Sequence, residues 1–385
     1  MRIALFTDTF PPQVNGVANV VKSSAEVLAG RGHDVHVFTV ASGRSDENSP
    51  PEKFGLTRIF SMPFFGYPNE RFSLPLAWTL RKIKSFRPDI IHAHTPFAIG
   101  WEAVLSKKIL GVPLVGTHHT FFDHYLKHIY ADYGWAKKLS SKYVAAYYNR
   151  CDLVTSPTIS LADSLESCGV SSRIIVVPNS VDTDFFKPAA DKKEKERLKR
   201  QLGFSKNVLV YMGRVSYEKS IDMAIRAMSV IAKKSPEATF VIIGGGPERE
   251  KLEILTKRLG VEKKVRFMGF LYGRELAQAL QASDIFVTAS KSENFPLSVI
   301  EAMASGLPIV AVSALGLPEI VEDGRSGFLV SPDRPEEIAD RVLKLFNNET
   351  LLEKYSSASR ELSNRYSKGG IALIHEKNYE DLLIS

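Results

Sequence analysis

The sequence predicts an α/β protein made of two doubly wound domains, each with a parallel β-sheet. The chain of 385 residues is long enough for two domains of ordinary size. In both halves, short apolar runs alternate with segments of helical periodicity, and this pattern is typical of a parallel sheet covered by helices on both faces. A turn-forming segment at about 178–190, followed by a charge-dense run over residues 191–200, separates the halves and is the predicted interdomain linker.

The first half is a βα repeat of at least six strands. It opens with a strand over residues 3–7, a long loop over 7–17 and a helix over 20–28. Gly16 in this loop either permits close approach of the backbone to a ligand or only turns the chain. The unit lacks the G-x-G-x-x-G of dinucleotide-binding proteins. The remaining predictions are strands at 35–40, 88–94, 113–117, 152–155 and 174–177, helices at 76–86 and 101–110, and a loop at 41–55.

The second half begins a new repeat at residue 207. Five strands are predicted, at residues 207–212, 239–243, 265–267, 285–288 and 307–312. Residues 336–365 are expected to be helical, and the last helix, from about residue 371, has no strand after it. The predicted domains are therefore residues 1–180 and 187–368. Ligand loops at the carboxyl ends of the two sheets are expected to face each other across a cleft.

Composition and charge exclude several classes of protein. The chain is 44% hydrophobic and 24% charged, as in ordinary soluble proteins, and it has no apolar run of about 18 residues that could span a bilayer. The first strand starts at Ile3, so no signal peptide is expected. Cys151 and Cys168 have no metal-binding spacing, so reduced thiols and a cytoplasmic location are expected.

The positive charge is concentrated in one fifth of the chain. Residues 71–150 contain twelve basic and four acidic side chains, an excess that accounts for the whole net charge of +7. Because the rest of the chain is nearly neutral, the sequence argues against a general nucleic-acid binder.

The stretch 290–310 is the strongest candidate for a ligand site. It is predicted as a polar turn, a helix with Pro296 at its first position and Gly306 at its end, and a strand. Free N–H groups near Leu297 and Ser298 would favour a phosphate at the carboxyl end of the sheet. Glu293 and Glu301 frame the helix start. The alternative is that these carboxylates only complement the helix dipole, which explains Glu301, in mid-helix, poorly.

Two cations follow the first strand of the second domain. Arg214 and Lys219 would lie at the carboxyl end of that strand, where they could neutralise the charge of a departing diphosphate. The alternative is a pair of solvated surface charges. The triplet Gly244–Gly246 after the next strand is interpreted as a tight turn without dinucleotide specificity.

Candidate metal ligands are weak. Asp182-Thr183-Asp184 has the D-x-D pattern of metal-dependent sugar transferases, but no strand leads into it, so a structural turn is favoured. His118 and His119 follow a predicted strand, where adjacent side chains point to opposite sides. A single histidine facing the cleft, His118, is predicted to hydrogen-bond a substrate, and no metal is expected.

In this order, Gly16, His118, Arg214, Lys219 and the Glu293-x7-Glu301 pair make the chain similar to the retaining glycosyltransferases of family 4, which have the GT-B fold. The resemblance covers residues 1 to about 365. It implies a nucleotide-sugar such as UDP-glucose as the donor, no cofactor, no metal, and a leaving phosphate that takes the acceptor's proton. It also implies that the last helix, 370–385, returns to the first domain.

The resemblance assigns roles to individual residues. Glu293 would bind hydroxyls of the donor sugar and Glu301 the ribose, while Arg214 and Lys219 would hold the diphosphate. The other members of the implied donor site are Gly16, Phe295, Leu297 and Ser298, with Leu271 in the turn that meets the base through its backbone and His118 near C6 of the sugar. The family often has glycine where this chain has Pro296, so no N–H is available at that position.

The acceptor is predicted from segments 10–17 and 118–129, which look like the family branch that glycosylates diacylglycerol or related lipids. Basic residues support a peripheral position on an anionic membrane, since they accompany apolar side chains in the helices over 76–87 and 135–148. These residues are Arg81, Lys82, Lys84, Lys137, Lys138 and Lys142. The alternative is that the apolar stripes pack on the sheet and the charges are solvated. Other activities left open are transfer to a soluble saccharide or polyol, sugar-nucleotide epimerisation, and nucleotide binding without catalysis.

Overall fold

The computed structural model describes residues 1–13, 15–41, 52–64, 67–119 and 134–384, and these residues form two compact units. Unit 1 comprises Met1–Ser180 together with Lys368–Ser385, and unit 2 comprises Val181–Ser367. Each unit has its own parallel sheet with helices packed on it, so the predicted fold class is confirmed. The chain passes between the units at residues 180/181 and again at 367/368. Segment 181–186, which the sequence analysis placed in a linker, belongs to unit 2.

Unit 1 is built on a seven-stranded sheet in the order β3-β2-β1-β6-β7-β8-β9, in which all neighbours are parallel. Its strands are β1 (Arg2–Phe6), β2 (Asp34–Val40), β3 (Gly55–Ile59), β6 (Ile90–Ala93), β7 (Leu114–Thr117), β8 (Leu153–Ser156) and β9 (Ile174–Val176), and a separate antiparallel hairpin joins β4 (Met62–Phe64) to β5 (Tyr67–Phe72). The helices are α1 (Gly16–Gly30), α2 (Leu80–Phe86), α3 (Ala98–Leu110), α4 (Gly134–Tyr148) and α5 (Ile159–Ser167).

Unit 2 is built on a six-stranded parallel sheet in the order β12-β11-β10-β13-β14-β15. Its strands are β10 (Asn207–Met212), β11 (Ala238–Ile243), β12 (Val265–Gly269), β13 (Ile285–Thr288), β14 (Ile309–Val312) and β15 (Gly327–Val330). Its helices are α6 (Lys192–Leu202), α7 (Ile221–Lys234), α8 (Arg249–Arg258), α9 (Gly273–Gln281), α10 (Leu297–Ala304), α11 (Leu317–Ile320), α12 (Pro335–Phe346) and α13 (Glu349–Ser363). The central strands are buried along their whole length because helices cover both faces, which explains their continuous apolar sequences.

The last helix, α14 (Lys368–Ile384), belongs to unit 1. Glu376 of this helix forms an ion pair with Arg31 at 2.6 Å, and its Oε1 lies within hydrogen-bond distance of His33 Nε2, at 2.9 Å. The Tyr379 hydroxyl lies 2.6 Å from Nδ1 of the buried His92 ring. These contacts explain why a C-terminal helix without a following strand completes the first unit.

The structure corrects several predicted elements. The edge strands β3 and β15 and the hairpin were missed. Strand β3 is only half-buried and its sequence, Gly-Leu-Thr-Arg-Ile, interrupts the apolar pattern, whereas β15 is mostly buried and its sequence, Gly-Phe-Leu-Val, does carry an apolar run. Helix α2 begins at Leu80 rather than at residue 76, after Ala77 with φ of 62°. The helical region predicted over 336–365 is two helices separated at residues 347–348. Most of the loop predicted over 41–55 lies outside the described residues.

Within the described part of the chain, none of the helices has both the length and the apolar character that a membrane span needs.

Candidate functional site

The candidate site of unit 2 lies where its strand order reverses. From β10 the chain builds outward through β11 to β12, and it then returns to the other side of β10 with β13. Parallel α/β sheets bind ligands in the crevice that such a reversal leaves at the carboxyl ends of the strands. The loops that follow β10 and β13 carry the predicted residues Arg214, Lys219 and Glu293.

Lys219 and Glu293 form an ion pair across this crevice. The Lys219 Nζ lies 2.8 Å from Glu293 Oε1, and both side chains are about four-fifths buried, with exposed fractions of 19% and 17%. The resemblance implies separate ligands for the two residues, a diphosphate for Lys219 and a sugar for Glu293, and their contact was not predicted. The pair fixes one cation and one carboxylate at the same point of the sheet edge.

Arg214 is exposed on the loop that leads from β10 to Lys219. The Tyr211 hydroxyl donates a hydrogen bond to the Arg214 carbonyl at 3.1 Å. Gly244, with φ of 130°, packs so closely on this loop that a Cβ there would collide with the Gly213 carbonyl oxygen. A Cβ at Gly246 would likewise collide with the Val215 carbonyl oxygen. The glycine triplet is therefore a turn that lets two backbone segments touch and so positions Arg214.

The start of α10 presents free backbone donors. Pro296 is the N-cap residue, with φ −72° and ψ 103°, and not the first helical residue as predicted. The first hydrogen bonds back to its carbonyl come from Val299 and Ile300. The N–H groups of Leu297 and Ser298 have no acceptor among the described residues. Such groups at a helix start suit an anion, and they open on the same loop as Glu293.

Glu301 lies in the middle of α10 and is partly buried. Desolvation raises the pKa of its carboxyl from an ordinary value near 4.5 to about 8. Its carboxylate has no hydrogen-bond or ion-pair partner in the part of the chain that the structure describes. A partly buried carboxyl with a raised pKa and no partner among the described residues is available to a ligand, and a mere complement to the helix dipole does not explain it.

Two predicted donor-site residues contribute to packing through their side chains. The Phe295 ring packs edge-on against Tyr366, with ring centroids 5.6 Å apart. Leu271 is partly buried against the core of unit 2 and follows Phe270, whose ring covers the face of Gly245. Phe270 and Tyr272 stack on each other and are about 60% exposed. Any donor contact of Phe295 or Leu271 would therefore involve the backbone, as predicted for the base.

The two predicted residues of unit 1 differ in their surroundings. Gly16 is the first residue of α1, capped by the Asn15 side chain, and nothing lies within 4 Å of the position its Cβ would take. His118 is only 3% exposed, and its Nδ1 lies 3.0 Å from the Tyr148 hydroxyl. Burial, helped by neighbouring His119, lowers the His118 pKa to about 3, so the ring is neutral. The contact of His118 with a sugar stays a prediction.

A polar cluster at the carboxyl edge of unit 1's sheet was not singled out from the sequence. His92 and His94 stack at 4.2 Å, and His94 Nδ1 lies 3.3 Å from His119 Nε2. Asp8 accepts hydrogen bonds from Thr95 Oγ1 at 2.6 Å and from an amide at the start of α3, while burial raises its pKa to about 6. Their positions in the sequence were the available signal. These residues lie at the ends of β1, β6 and β7, and β1 and β6 are the neighbours at which unit 1's strand order reverses.

The D-x-D segment is a turn, as predicted. Asp182 Oδ1 accepts a hydrogen bond from the Phe185 amide at 2.9 Å. Among the described residues, there is no group of three or more histidine, cysteine, aspartate or glutamate side chains arranged to hold a metal ion. A cavity of about 760 Å³ elsewhere on unit 2, lined by Lys187, Asp191 and Arg197 among others, includes none of the predicted site residues.

The predicted basic residues fall on two helices with different packing. On α2, Ile83 is fully buried and Phe86 packs against the core, so this apolar stripe serves the sheet. Arg81, Lys82 and Lys84 are exposed on the same helix. On α4, Lys138 and Lys142 are exposed beside apolar side chains, Trp135 at 70% and Leu139 at 61%. The side chain of Lys137 lies outside the described residues.

Family models match both halves of the chain. The model described as Glycosyltransferase Family 4 matches residues 14–185, and the model described as Glycosyl transferases group 1 matches residues 192–362.

The chain is also similar to characterised proteins over nearly its whole length. It is 31% identical to the sulfoquinovosyl transferase SQD2 of Arabidopsis thaliana, over 95% of this chain and 70% of the relative. It is 29% identical to an alpha-monoglucosyldiacylglycerol synthase of Streptococcus pneumoniae, over 94% of this chain and 83% of the relative. Among solved structures, HepE from Anabaena in complex with UDP superimposes with a TM-score of 0.81 at 21% identity, covering 99% of this chain and all of that one.

Proposed function

Because the chain belongs to glycosyltransferase family 4, whose members have the GT-B fold, we propose that it is a retaining enzyme that transfers a hexose from a nucleotide-sugar to a membrane lipid. UDP-glucose is the proposed donor and diacylglycerol the proposed acceptor. The name of one relative, an alpha-monoglucosyldiacylglycerol synthase, supports a diacylglycerol acceptor.

The observation that carries the proposal is the ion pair between Lys219 and Glu293 beside the open start of α10. Lys219, Arg214 and the amides of Leu297 and Ser298 present positive charge or N–H donors to one crevice, as a diphosphate requires. Glu293 provides an acceptor for sugar hydroxyls there, and Glu301 provides a second one for the ribose.

The chemistry proposed for this site needs charge neutralisation more than a general base. The bond between the sugar C1 and the diphosphate oxygen breaks, and the acceptor oxygen bonds to C1 on the same face. The leaving phosphate oxygen takes the proton of the acceptor hydroxyl. Arg214 and Lys219 would stabilise the negative charge that grows on the diphosphate, which supports transfer without a metal ion.

The exposed surface of α4 supports a peripheral position on an anionic membrane facing the cytoplasm. Lys138 and Lys142 alternate with exposed Trp135 and Leu139 on one side of this helix. Basic and aromatic side chains together suit the interface of an anionic bilayer.

The direct test is incubation of the purified chain with diacylglycerol in anionic vesicles and with each of the common nucleotide-sugars, UDP-glucose first. We expect a glycolipid with retained anomeric configuration, formed equally in the presence of EDTA. Extension of a soluble saccharide or polyol without glycolipid would refute the lipid acceptor. Conversion of the nucleotide-sugar in the absence of any acceptor would instead identify an epimerase.

A further inference from the structure

Helix α10 lies next to the two segments through which the chain enters and leaves unit 2. We call residues 181–186 the first crossing segment and residues 364–367 the second crossing segment. The two run side by side: the Val181 amide donates to the Tyr366 carbonyl at 2.8 Å, and Val181 pairs with Ser367 in a parallel bridge.

The N-terminal side of α10 contacts the second crossing segment. Phe295, two residues after Glu293 and two before Leu297, packs its ring against that of Tyr366 at 5.6 Å and an interplanar angle of 77°. Tyr366 is only 7% exposed, so this edge-to-face contact is held inside the unit. The loop that carries Glu293 therefore rests on the residue whose carbonyl receives the Val181 amide.

The C-terminal side of α10 contacts the first crossing segment. A single nitrogen of the Arg360 guanidinium, Nη1, donates to the carbonyls of Thr183 at 2.8 Å and Phe186 at 3.1 Å, both in that segment. The same Nη1 donates to the carbonyl of Ala304, the last residue of α10, at 3.0 Å. Both ends of the helix are thus joined to the chain at the boundary of unit 2.

We propose that Phe295, Tyr366 and Arg360 are positioning residues that couple nucleotide binding at α10 to the two crossing segments. The inference rests on the proposed function, because it takes the start of α10 as the diphosphate site. A ligand that fixes Glu293 and the first turn of α10 also fixes the Phe295 ring, and local opening of the Val181–Tyr366 hydrogen bond then becomes rarer.

Amide hydrogen exchange of the full chain with and without UDP tests the coupling. In the wild type we expect UDP to slow exchange in two places: at the loops of residues 213–219 and 293–301, and at the crossing segments. In Tyr366→Leu or Phe295→Leu we expect the loops still to respond while the crossing segments no longer do. Each single variant should also raise the Kd for UDP about 2- to 12-fold, which corresponds to the free energy of one aromatic pair. The double variant should raise the Kd no more than the more affected single variant does, because both substitutions remove the same contact.

Tyr355→Leu is the matched control. Tyr355 is 5% exposed in the same core and packs on Phe328 at 5.2 Å. Phe328 lies in β15, which β14 separates from β13, the strand that leads into the loop of Glu293. The Tyr355→Leu variant should lose about as much stability as Tyr366→Leu, but UDP should still slow exchange in its crossing segments. A wild type that binds UDP without that response, or a Tyr366→Leu variant that keeps it, overturns the coupling alone. No slowing at 213–219 and 293–301 with either UDP or GDP overturns the proposed function and this inference with it.

Discussion

At the scale of single residues, the proposed donor site depends on the Lys219–Glu293 pair and can be tested by a substitution there. Glu293→Gln keeps the size of the side chain and a hydrogen-bond acceptor for Lys219 but removes the negative charge. We expect a loss of transfer of about 10²- to 10³-fold, the usual consequence of removing one preorganised polar contact from a reacting centre. Stability should also fall, by about 1–3 kcal/mol, because both side chains are about four-fifths buried and Lys219 loses its counter-charge while keeping an amide acceptor.

The matched control for this substitution is Glu253→Gln, which breaks the exposed Arg249–Glu253 pair on α8. Its transfer rate should equal that of the wild type. Steady-state rates with a saturating acceptor, together with thermal unfolding of all three proteins, make the comparison. Near-normal turnover of the Glu293→Gln variant would exclude the assigned site.

Glu301 predicts a pH dependence of stability. Its pKa is about 8 in the folded protein and near 4.5 in the unfolded chain, so the unfolded chain releases the proton first as pH rises. The free energy of unfolding therefore falls between pH 4.5 and 8, by up to about 1.4 kcal/mol per pH unit. Glu301→Gln removes this loss and should be more stable than the wild type by up to about 3 kcal/mol at pH 7, with no gain near pH 4.5. Denaturant unfolding at both pH values checks this.

The same substitution should weaken donor binding. Ribose hydroxyls donate best to an ionised carboxylate, so the wild type should bind UDP-glucose more tightly at pH 8.5 than at pH 6.5, whereas the Glu301→Gln variant should show weak binding at both. Calorimetric titrations at the two pH values measure this. A variant that is stabilised and still binds like the wild type would show that Glu301 is buried for a reason other than the ribose.

At the scale of elements, α2 and α4 show why amphipathic patterns are ambiguous in a sequence. Both helices mix basic and apolar residues, but Ile83 of α2 is buried in the core whereas Trp135 and Leu139 of α4 are exposed. The apolar stripe of α2 is thus explained by packing, as the alternative interpretation held. The apolar side chains Trp135 and Leu139 of α4 are instead exposed, so a membrane surface could reach them.

This contrast predicts which helix matters for vesicle binding. Lys138→Gln with Lys142→Gln removes two charges that would lie near an anionic surface, each worth about 1 kcal/mol, and should lower partitioning about 30-fold. Trp135→Ala should lower it further. Lys233→Gln with Lys234→Gln, two exposed lysines at the end of α7, is the control and should have little effect. Sedimentation with anionic vesicles at low salt measures all of these, and equal losses in the two double variants would refute a role for α4.

At the scale of the whole molecule, the sequence predicts the repeat of strands and helices but not the contacts between the loops that follow the strands. Continuous apolar strands separated by helices predict two parallel sheets, because only strands buried on both faces have such sequences. The edge strand β3, half-buried, does not have one. The pairing of Lys219 with Glu293, 74 residues apart, depends on β10 and β13 being neighbours, and no local pattern encodes that order. The residue types of the site could be predicted because they follow recognisable strands in the sequence. Their partners could not, because contacts between loops depend on the order of the strands in the sheet.

The return of α14 to unit 1 predicts that the two units respond separately to a C-terminal mutation. The two nitrogens of the buried His92 ring form hydrogen bonds with the Tyr379 hydroxyl and with Thr117 Oγ1, each at 2.6 Å. Tyr379→Phe leaves one ring nitrogen without a partner and should destabilise unit 1 by about 1–3 kcal/mol. Unit 2 should keep its stability, because its core contains neither His92 nor Tyr379. The control is Tyr272→Phe, an exposed substitution in unit 2, which should change the stability of neither unit. Hydrogen exchange at increasing denaturant, followed in peptides from each unit, distinguishes the outcomes, and an equal loss in both units would show that the chain unfolds as one.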